Sequence, residues 1–371
     1  MMMTKSGCQY NKIQCREPRA SEDDRLSDLP NEILLSIVSS FSMKEIARLS
    51  HVSRQWEFVW RCAPLLIFED PRAMDKIKAS IAAIPEEILL SFVSWVDCVL
   101  DKHLGTTIDE LRITFILDLN WQSHVDKWAA FAVDKHVQRL ELNFSSYWIK
   151  TPTKVNSGKP LDLPPKLSTI KSTRLTSLCL KYVNATDEFI DYLSRSCPLL
   201  EVLCIVGSNR LISVGACGSF KQLKNLEVSH CRNLKTIDIS APKLSSFTHY
   251  GDPVKLHFSY APSLVDVSVG KAAGPRGRIA YVFDSLSKHL SQLVRLSLMI
   301  STIGRRNMGI DNPADMPNLR HLEFQVRAYF EQSLEGWAPL IAASPRLQKL
   351  SLKARRLILF NTIKYSVRLH M

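Results

Sequence analysis

His230 and Cys231 stand side by side at the end of an apolar run, an imidazole and a thiol that in other settings ligate a metal or form an activated nucleophile. Either chemistry needs further partners at set spacings, and the pattern supplies none. The nine cysteines, at 8, 15, 62, 98, 179, 197, 204, 217 and 231, include no C-x-x-C pair and no zinc-like Cys/His spacing. They read as small buried thiols, with Cys231 a packed turn residue after a strand. The ten histidines are dispersed. There is no G-x-S-x-G, no G-x-x-x-x-G-K-S/T and no H-E-x-x-H, and Gly274-Pro275-Arg276-Gly277-Arg278 is too short and too proline-broken for a phosphate loop. The expectation is a chain with no catalytic residue, no metal and no cofactor.

Function must then lie in surfaces, and the elements that build them are legible. With 371 residues and 46% hydrophobic composition, the chain has ample material for a core. No run approaches a membrane span of roughly 18 apolar residues, and the opening MMMTKSGCQYNKIQC lacks the apolar core of a secretory signal, so an intracellular protein of nucleus or cytoplasm is expected. Forty-eight Lys and Arg against 36 Asp and Glu give +12. The basic residues are scattered, and their densest pairs, Arg305-Arg306 and Arg355-Arg356, stand alone, so an acidic protein partner is favoured over nucleic acid.

Residues 1 to 24 are polar and without hydrophobic periodicity, which predicts a disordered leader. Three helix signals come next in quick succession. Pro30 fits a first helical position, with Glu32 in the first turn and Ile33, Leu34, Ile37, Val38 and Phe41 on one stripe. Ser42-Met43-Lys44-Glu45 is a capping box that opens a second helix burying Ile46, Leu49 and Val52. Trp56, Val59, Trp60 and Ala63 recur at helical steps before Pro64. So small a unit cannot bury two tryptophans and a full apolar stripe alone; it needs a partner surface.

Leu29-Pro30-x-Glu32-Ile33-Leu34, followed by Ser53-Arg54-x-Trp56 and Trp60, resembles the F-box, and the longer strings DRLSDLPNEIL and VSRQWEFVW are similar to plant F-box/leucine-rich-repeat proteins, many of which also carry an FBD domain. Ser42 departs from that pattern, where many members have proline, and VSRQW replaces the commoner LSKRW. The resemblance implies that Leu29, Pro30, Ile33, Leu34, Ile37, Ile46, Leu49, Val52 and Trp56 insert into a Skp-type adaptor. Through it would come a cullin and a RING subunit, which do the chemistry of ubiquitin transfer. Downstream, PEEILLSFVS (85 to 94) nearly repeats PNEILLSIVS (30 to 39) but has no Ser-Arg-x-Trp helix after it. It reads as one amphipathic helix capping the amino-terminal end of a solenoid.

From Ile108 a hexamer of the form apolar-x-x-apolar-x-apolar keeps returning: IDELRI, VQRLEL, LTSLCL, LEVLCI, LKNLEV, LVRLSL, LRHLEF and LQKLSL. Their spacing lies in the leucine-rich-repeat range with insertions. Each supplies one strand whose alternate residues point inward, and prolines two residues before Leu200, Leu244, Leu264, Leu319 and Leu347 mark the junctions. LKNLEV, LKTIDI, LSSFTH and LVDVSV start at 223, 234, 244 and 264, too closely for a helix in every repeat, so strand on the convex side is expected there. The fold class is α/β: a three-helix F-box at 25–68, a helical connector and cap at 69–107, and a leucine-rich-repeat solenoid at 108–371 with a parallel sheet on its concave face. After LQKLSLK the tail shows no FBD continuation, which predicts a shortened member whose last repeat lacks cover.

These elements predict the target-recruiting subunit of an SCF-type ubiquitin ligase. The competing readings are a repeat scaffold outside ubiquitination and a basic nucleic-acid-binding solenoid. Outward positions of successive strands would form one polar face. Arg295, His321, Glu323, Gln325, Lys349 and Lys353 are the expected target contacts, with a basic last row suited to an acidic element; the alternative is binding by loops such as Ser145 to Pro160 or Lys271 to Arg278.

Overall fold

The computed structural model describes residues 29–38, 41, 43, 45–46, 59–79, 85–145, 159–215, 220–270, 280–302, 315–328, 338–356 and 362–368. The chain divides into two compact units, Met1–Trp60 and Arg61–Met371.

In the first unit, α1 spans Asn31–Val38. The Ile33 and Leu34 amides donate to the Pro30 carbonyl at 3.0 and 3.1 Å, so the helix opens one residue later than the sequence suggests, with Pro30 as its first acceptor. Leu34, Met43, Ile46 and Val59 are buried, while Ile33 and Phe41 are exposed. Ser42, Lys44 and Trp56 lie outside the described residues, as does the leader.

The second unit opens with β1 (Leu65–Glu69), α2 (Pro71–Ala79), α3 (Glu86–Lys102), β2 (Glu110–Thr114), α4 (Gln122–Asp134) and β3 (Arg139–Asn143). There follow β4 (Leu161–Asp162), α5 (Pro165–Ser168), β5 (Ser177–Lys181), β6 (Val183–Asn184), α6 (Asp187–Ser196), β7 (Val202–Val206) and β8 (Ser213–Val214). Next come β9 (Asn225–Ser229), β10 (Thr236–Ser240), β11 (Ser246–Tyr250), β12 (Lys255–Tyr260) and β13 (Asp266–Gly270). The last elements are α7 (Ala280–Leu286), β14 (Arg295–Thr302), β15 (His321–Ala328), α8 (Ala338–Ala342), β16 (Lys349–Arg356) and β17 (Thr362–Arg368).

Among the described residues, β1, β2, β3, β5, β7, β9, β11, β13, β14, β15, β16 and β17 form one 12-stranded sheet in that order. Neighbours are parallel up to β16. One register runs through it: Leu111, Leu140, Leu178, Leu203, Leu226, Phe247, Val267, Leu296 and Leu322 align and are buried, so each hexamer turns its fourth and sixth residues into the core. Parallel neighbours require a return segment, and helices supply most of them. In α3, Glu86 and Glu87 sit in the first turn and Lys102 in the last, matching the helix dipole, and Phe92, Val93, Val96, Val99 and Leu100 are buried. Phe92 stacks on Phe115 with centroids 3.9 Å apart. Asp97 ties this helix to α4 by accepting from Trp128 Nε1 and contacting His124 Nδ1, both at 2.7 Å.

Between β7 and β13 the returns are strands instead. β8, β10 and β12 pair in a second parallel sheet, the convex strand that the short spacing predicts. LKTIDI thus belongs to the return side, whereas LSSFTH and LVDVSV supply β11 and β13 of the main sheet.

Two expectations need correction. The sheet starts at Leu65, not Ile108: in APLLIF (63–68) the small, buried Ala63 takes the leading position of the hexamer where most copies carry Leu, Ile or Val, and Leu66 and Phe68 are buried beside Leu111 and Ile113. α3 is accordingly the return between the first two strands, not an outer cap. The last repeat is also covered, because β17 pairs antiparallel with β16 from Lys349↔Arg368 to Arg355↔Thr362.

Candidate functional site

The first unit brings together an exposed ridge. Pro30 is exposed, Ile33 is 48% accessible, and Leu29 and Ile37 are half-buried. Leu34 is 0% accessible and Ile46 is buried, so neither lies on this ridge. Leu49, Val52 and Trp56 lie outside the described residues.

In the second unit the open face of the sheet carries three parallel rows of side chains, and their charges are used differently along it. At its start, Arg112 reaches Glu110 at 2.7 Å, Glu141 at 3.3 Å and Glu69 at 3.9 Å. Arg139 closes on Glu110 at 3.0 Å and Lys181 on Glu141 at 3.2 Å. The charges here answer one another, although the buried Arg112 Nε lies 3.3 Å from Glu141 without a hydrogen bond.

The middle differs. Cys179 and Cys204 are register partners on β5 and β7, and with Val206 they form a nearly buried cluster on the outward side. Strict alternation places Cys179 facing solvent; it points outward, but its neighbours cover it. The Cys204 thiol donates to Glu227 at 3.3 Å. Its hydrogen bond with Cys179 and its burial push the Cys204 pKa well above the ordinary thiol range, with the Glu227 charge adding to the effect, so it stays protonated. Beyond Glu227 the floor is Thr248, Ser268 and Ser297, with the half-buried Tyr250 beside Ser268 and Ser297.

At the far end the expected target residues do assemble. Arg295, His321 and Lys349 align on three neighbouring strands, as do Ser297, Glu323 and Ser351, then Met299, Gln325 and Lys353. Their charges are partly spent: Arg295 holds Asp266 at 2.9 Å, and Glu323 accepts from Lys353 at 2.7 Å and Gln325 at 2.8 Å. Burial would raise the Glu323 pKa, but the hydrogen bonds from Lys353 and Gln325 outweigh it and lower it. Lys353 and Arg295 are therefore both answered by a carboxylate, and of these side chains Lys349 is the cation with no ion pair among the described residues, in a row with His321 and Arg295. Hexamer counting places Glu227 and Cys179 among the outward positions without singling them out; an acidic residue beside cysteines on two preceding strands was the available signal.

Cys231 settles as a turn residue. His230 takes a left-handed conformation (φ 56°), and the buried Cys231 thiol donates to the Ser229 carbonyl at 3.4 Å, with burial raising its pKa to about 11. Among the described residues no group of three or more His, Cys, Asp or Glu is arranged to hold a metal.

Residues 26–61 match the F-box-like family model, and residues 99–363, more than half the chain, match the At1g61320/AtMIF1 LRR domain. The chain belongs to the F-box/leucine-rich-repeat family. Its relatives include the F-box/LRR-repeat protein At2g42730 of Arabidopsis thaliana, 26% identical over 62% of this chain and 52% of that protein. The F-box/FBD/LRR-repeat protein At5g56420 of the same plant is 25% identical over 61% and 48%, and the F-box/LRR-repeat protein At3g26922 is 25% identical over 64% and 70%. The chain spans about half the length of the first two. Among the described residues of this F-box/leucine-rich-repeat chain, no helix is long and apolar enough to cross a membrane.

Proposed function

We propose that this protein recruits a target to an SCF-type ubiquitin ligase, its F-box helices docking on a Skp-type adaptor and its repeats holding the target. The observation that carries the reading is the exposed apolar ridge of Pro30 and Ile33, flanked by Leu29 and Ile37, inside the stretch that matches the F-box-like model. A half-exposed isoleucine beside an exposed proline on a small helical unit is surface that a partner would cover. Leu34 and Ile46 act by holding the unit's own packing, and Leu49, Val52 and Trp56 complete the proposed contact set.

The division of labour needs no catalytic group in this chain. A RING partner and its conjugating enzyme would carry out the transfer, while this subunit raises the effective concentration of a target lysine.

The test uses the full chain, since β1 at Leu65 belongs to the repeat sheet and a cut after residue 68 would strand it. Adaptor affinity is measured for the wild type, for Ile33→Asp and for Leu29→Ala with Pro30→Ala. Loss of the ridge should weaken binding by roughly tenfold or more, the worth of one buried aliphatic side chain. Undiminished adaptor capture by both variants, with unfolding curves unchanged, would leave a repeat scaffold as the better account.

A further inference from the structure

Among the carboxylates on the open face, Glu69, Glu110, Glu141, Asp266 and Glu323 each sit within 4 Å of an arginine or lysine. Glu227 does not: its one hydrogen bond among the described residues is from the Cys204 thiol. A carboxylate beside a thiol that stays neutral, next to the apolar floor of Cys179, Cys204 and Val206, lacks the cation its neighbours have. At the other end, Lys349 and Arg320 carry no ion pair among the described residues, and His321 lies in line between Arg295 and Lys349. Between these poles the floor is uncharged: Thr248, Ser268 and the buried Ser297, the last two hydrogen-bonded to the half-buried Tyr250 side chain.

We infer that the open face from β9 to β16 binds an extended partner segment carrying a basic side chain, which seats on Glu227, and an acidic side chain, which seats on the Arg295–His321–Lys349 row. The inference rests on the proposal that the repeats hold the target, and it names the chemistry of what they hold. The spacing comes from the strand order. Arg295 lies three strands beyond Glu227 and Lys349 five, which at about 4.8 Å per strand is roughly 14 to 24 Å. An extended segment covers that in about four to seven residues at about 3.3 Å each. The aliphatic stem of the partner's lysine or arginine would lie on Cys204 and Val206 while its charge meets Glu227, so both parts of that side chain find a matching surface. A chain with only acidic residues would satisfy one pole and place negative charge against Glu227.

The experiment is selection of phage-displayed random dodecapeptides on the full chain, followed by affinity measurement of the enriched peptides as synthetic molecules. Enriched sequences should pair a Lys or Arg with an Asp or Glu about four to seven positions away. Glu227→Gln and Lys349→Gln should each weaken binding by about fivefold, the size of one lost surface charge pair, and Glu227→Lys should recover affinity for a peptide whose basic residue is changed to Glu. Both positions lack an ion pair within the described chain, so unfolding curves should be unaltered. Absence of enriched peptides, enrichment without that spacing, or affinities indifferent to both substitutions overturns the inference. Adaptor capture measured in parallel separates the two proposals: its loss with peptide binding intact faults the docking reading alone, and the converse faults this one.

Discussion

At the amino-terminal end of the open face, Glu69, Glu110, Arg112, Arg139, Glu141 and Lys181 are satisfied by one another; at the carboxy-terminal end, Asp266 and Glu323 each take one cation, and Lys349 remains. Both ends look alike as strings of alternating charge in the sequence. They differ in register: strand pairing sets Glu110 beside Arg139 and Arg112 beside Glu141, opposite signs in both rows, whereas at the other end it sets Asp266 beside Arg295 but then only His321 between Arg295 and Lys349. A charge answered by its strand neighbour stabilises the sheet and is unavailable to a ligand. Where the row runs on without an answering carboxylate, as at Lys349, a partner of opposite sign would supply one.

The largest effect should come from breaking the closed end. Arg112→Met leaves Glu110, with a side chain 14% accessible, and Glu141, diagonal to it on the neighbouring strand, without their shared cation. The Arg112 side chain is itself 39% accessible, so water screens much of the attraction, and Arg139 and Lys181 remain. A loss of about 1 to 2 kcal/mol in denaturant unfolding is expected, larger at low salt than at high. Lys349→Met should change stability by well under that. Equal effects from the two substitutions would erase the distinction between the ends.

A second contrast sets an interior histidine against the surface one. His249 occupies a core position of β11 where other strands carry Leu, Val, Ile or Phe, and its Nδ1 and Nε2 face the carbonyls of Val228 at 2.7 Å and Asp252 at 3.1 Å. Burial lowers its pKa below the ordinary 6.5, outweighing those carbonyls and the charge of Asp252; burial lowers that of His103 as well. The unfolded chain therefore binds these protons first. Stability is full above about pH 6.5, is lost as the pH falls toward the folded-state values, and levels off below them, with a slope of at most about 1.4 kcal/mol per pH unit for each histidine. Urea unfolding from pH 7.5 to 5 should show that decline, and His249→Leu should flatten part of it. A slope that survives both His249→Leu and His103→Leu would assign the acid sensitivity to the surface.

How much of this was legible depends on the same physics. Each hexamer reports its strand because a buried parallel ladder repeats one apolar pattern, so the register of Leu111, Leu140, Leu178 and Leu203 could be read directly. Leu65–Glu69 was harder to read, since its leading position is the small Ala63, followed directly by Pro64, and pairing with β2 is what defines it. β17 was invisible for the opposite reason: it pairs antiparallel after a reversal, outside any repeat period. On the open face, alternation told which residues point outward but not which are answered. Lys353 counted as a free cation until pairing set it beside Gln325, within reach of Glu323. Glu227 was one outward residue among many until the strands placed thiols beside it. In the F-box, spacing identified the stripe but could not separate Ile33, which is exposed, from Leu34, which is not.

The smallest expected effect is also the most direct reading of the open end. His321 has its pKa lowered by partial burial and then by Arg295, Lys349 and Arg320, with Asp266 acting weakly the other way. Lys349→Gln removes one of those like charges without touching the core, so the His321 imidazole should titrate at higher pH in the variant, as followed by its ring-proton NMR shifts. Arg112→Met, on β2 and seven strands from Arg295 on β14, should leave that titration where it was. Added salt should shrink the difference between wild type and Lys349→Gln, because screening already weakens a repulsion between groups at the surface. A bound acidic peptide should move the wild-type titration in the same upward direction as Lys349→Gln, by supplying the counter-charge that the row lacks. If Lys349→Gln leaves the His321 midpoint unmoved at low salt, the three side chains do not share a field. The carboxy-terminal end is then no more open to an acidic ligand than the amino-terminal one.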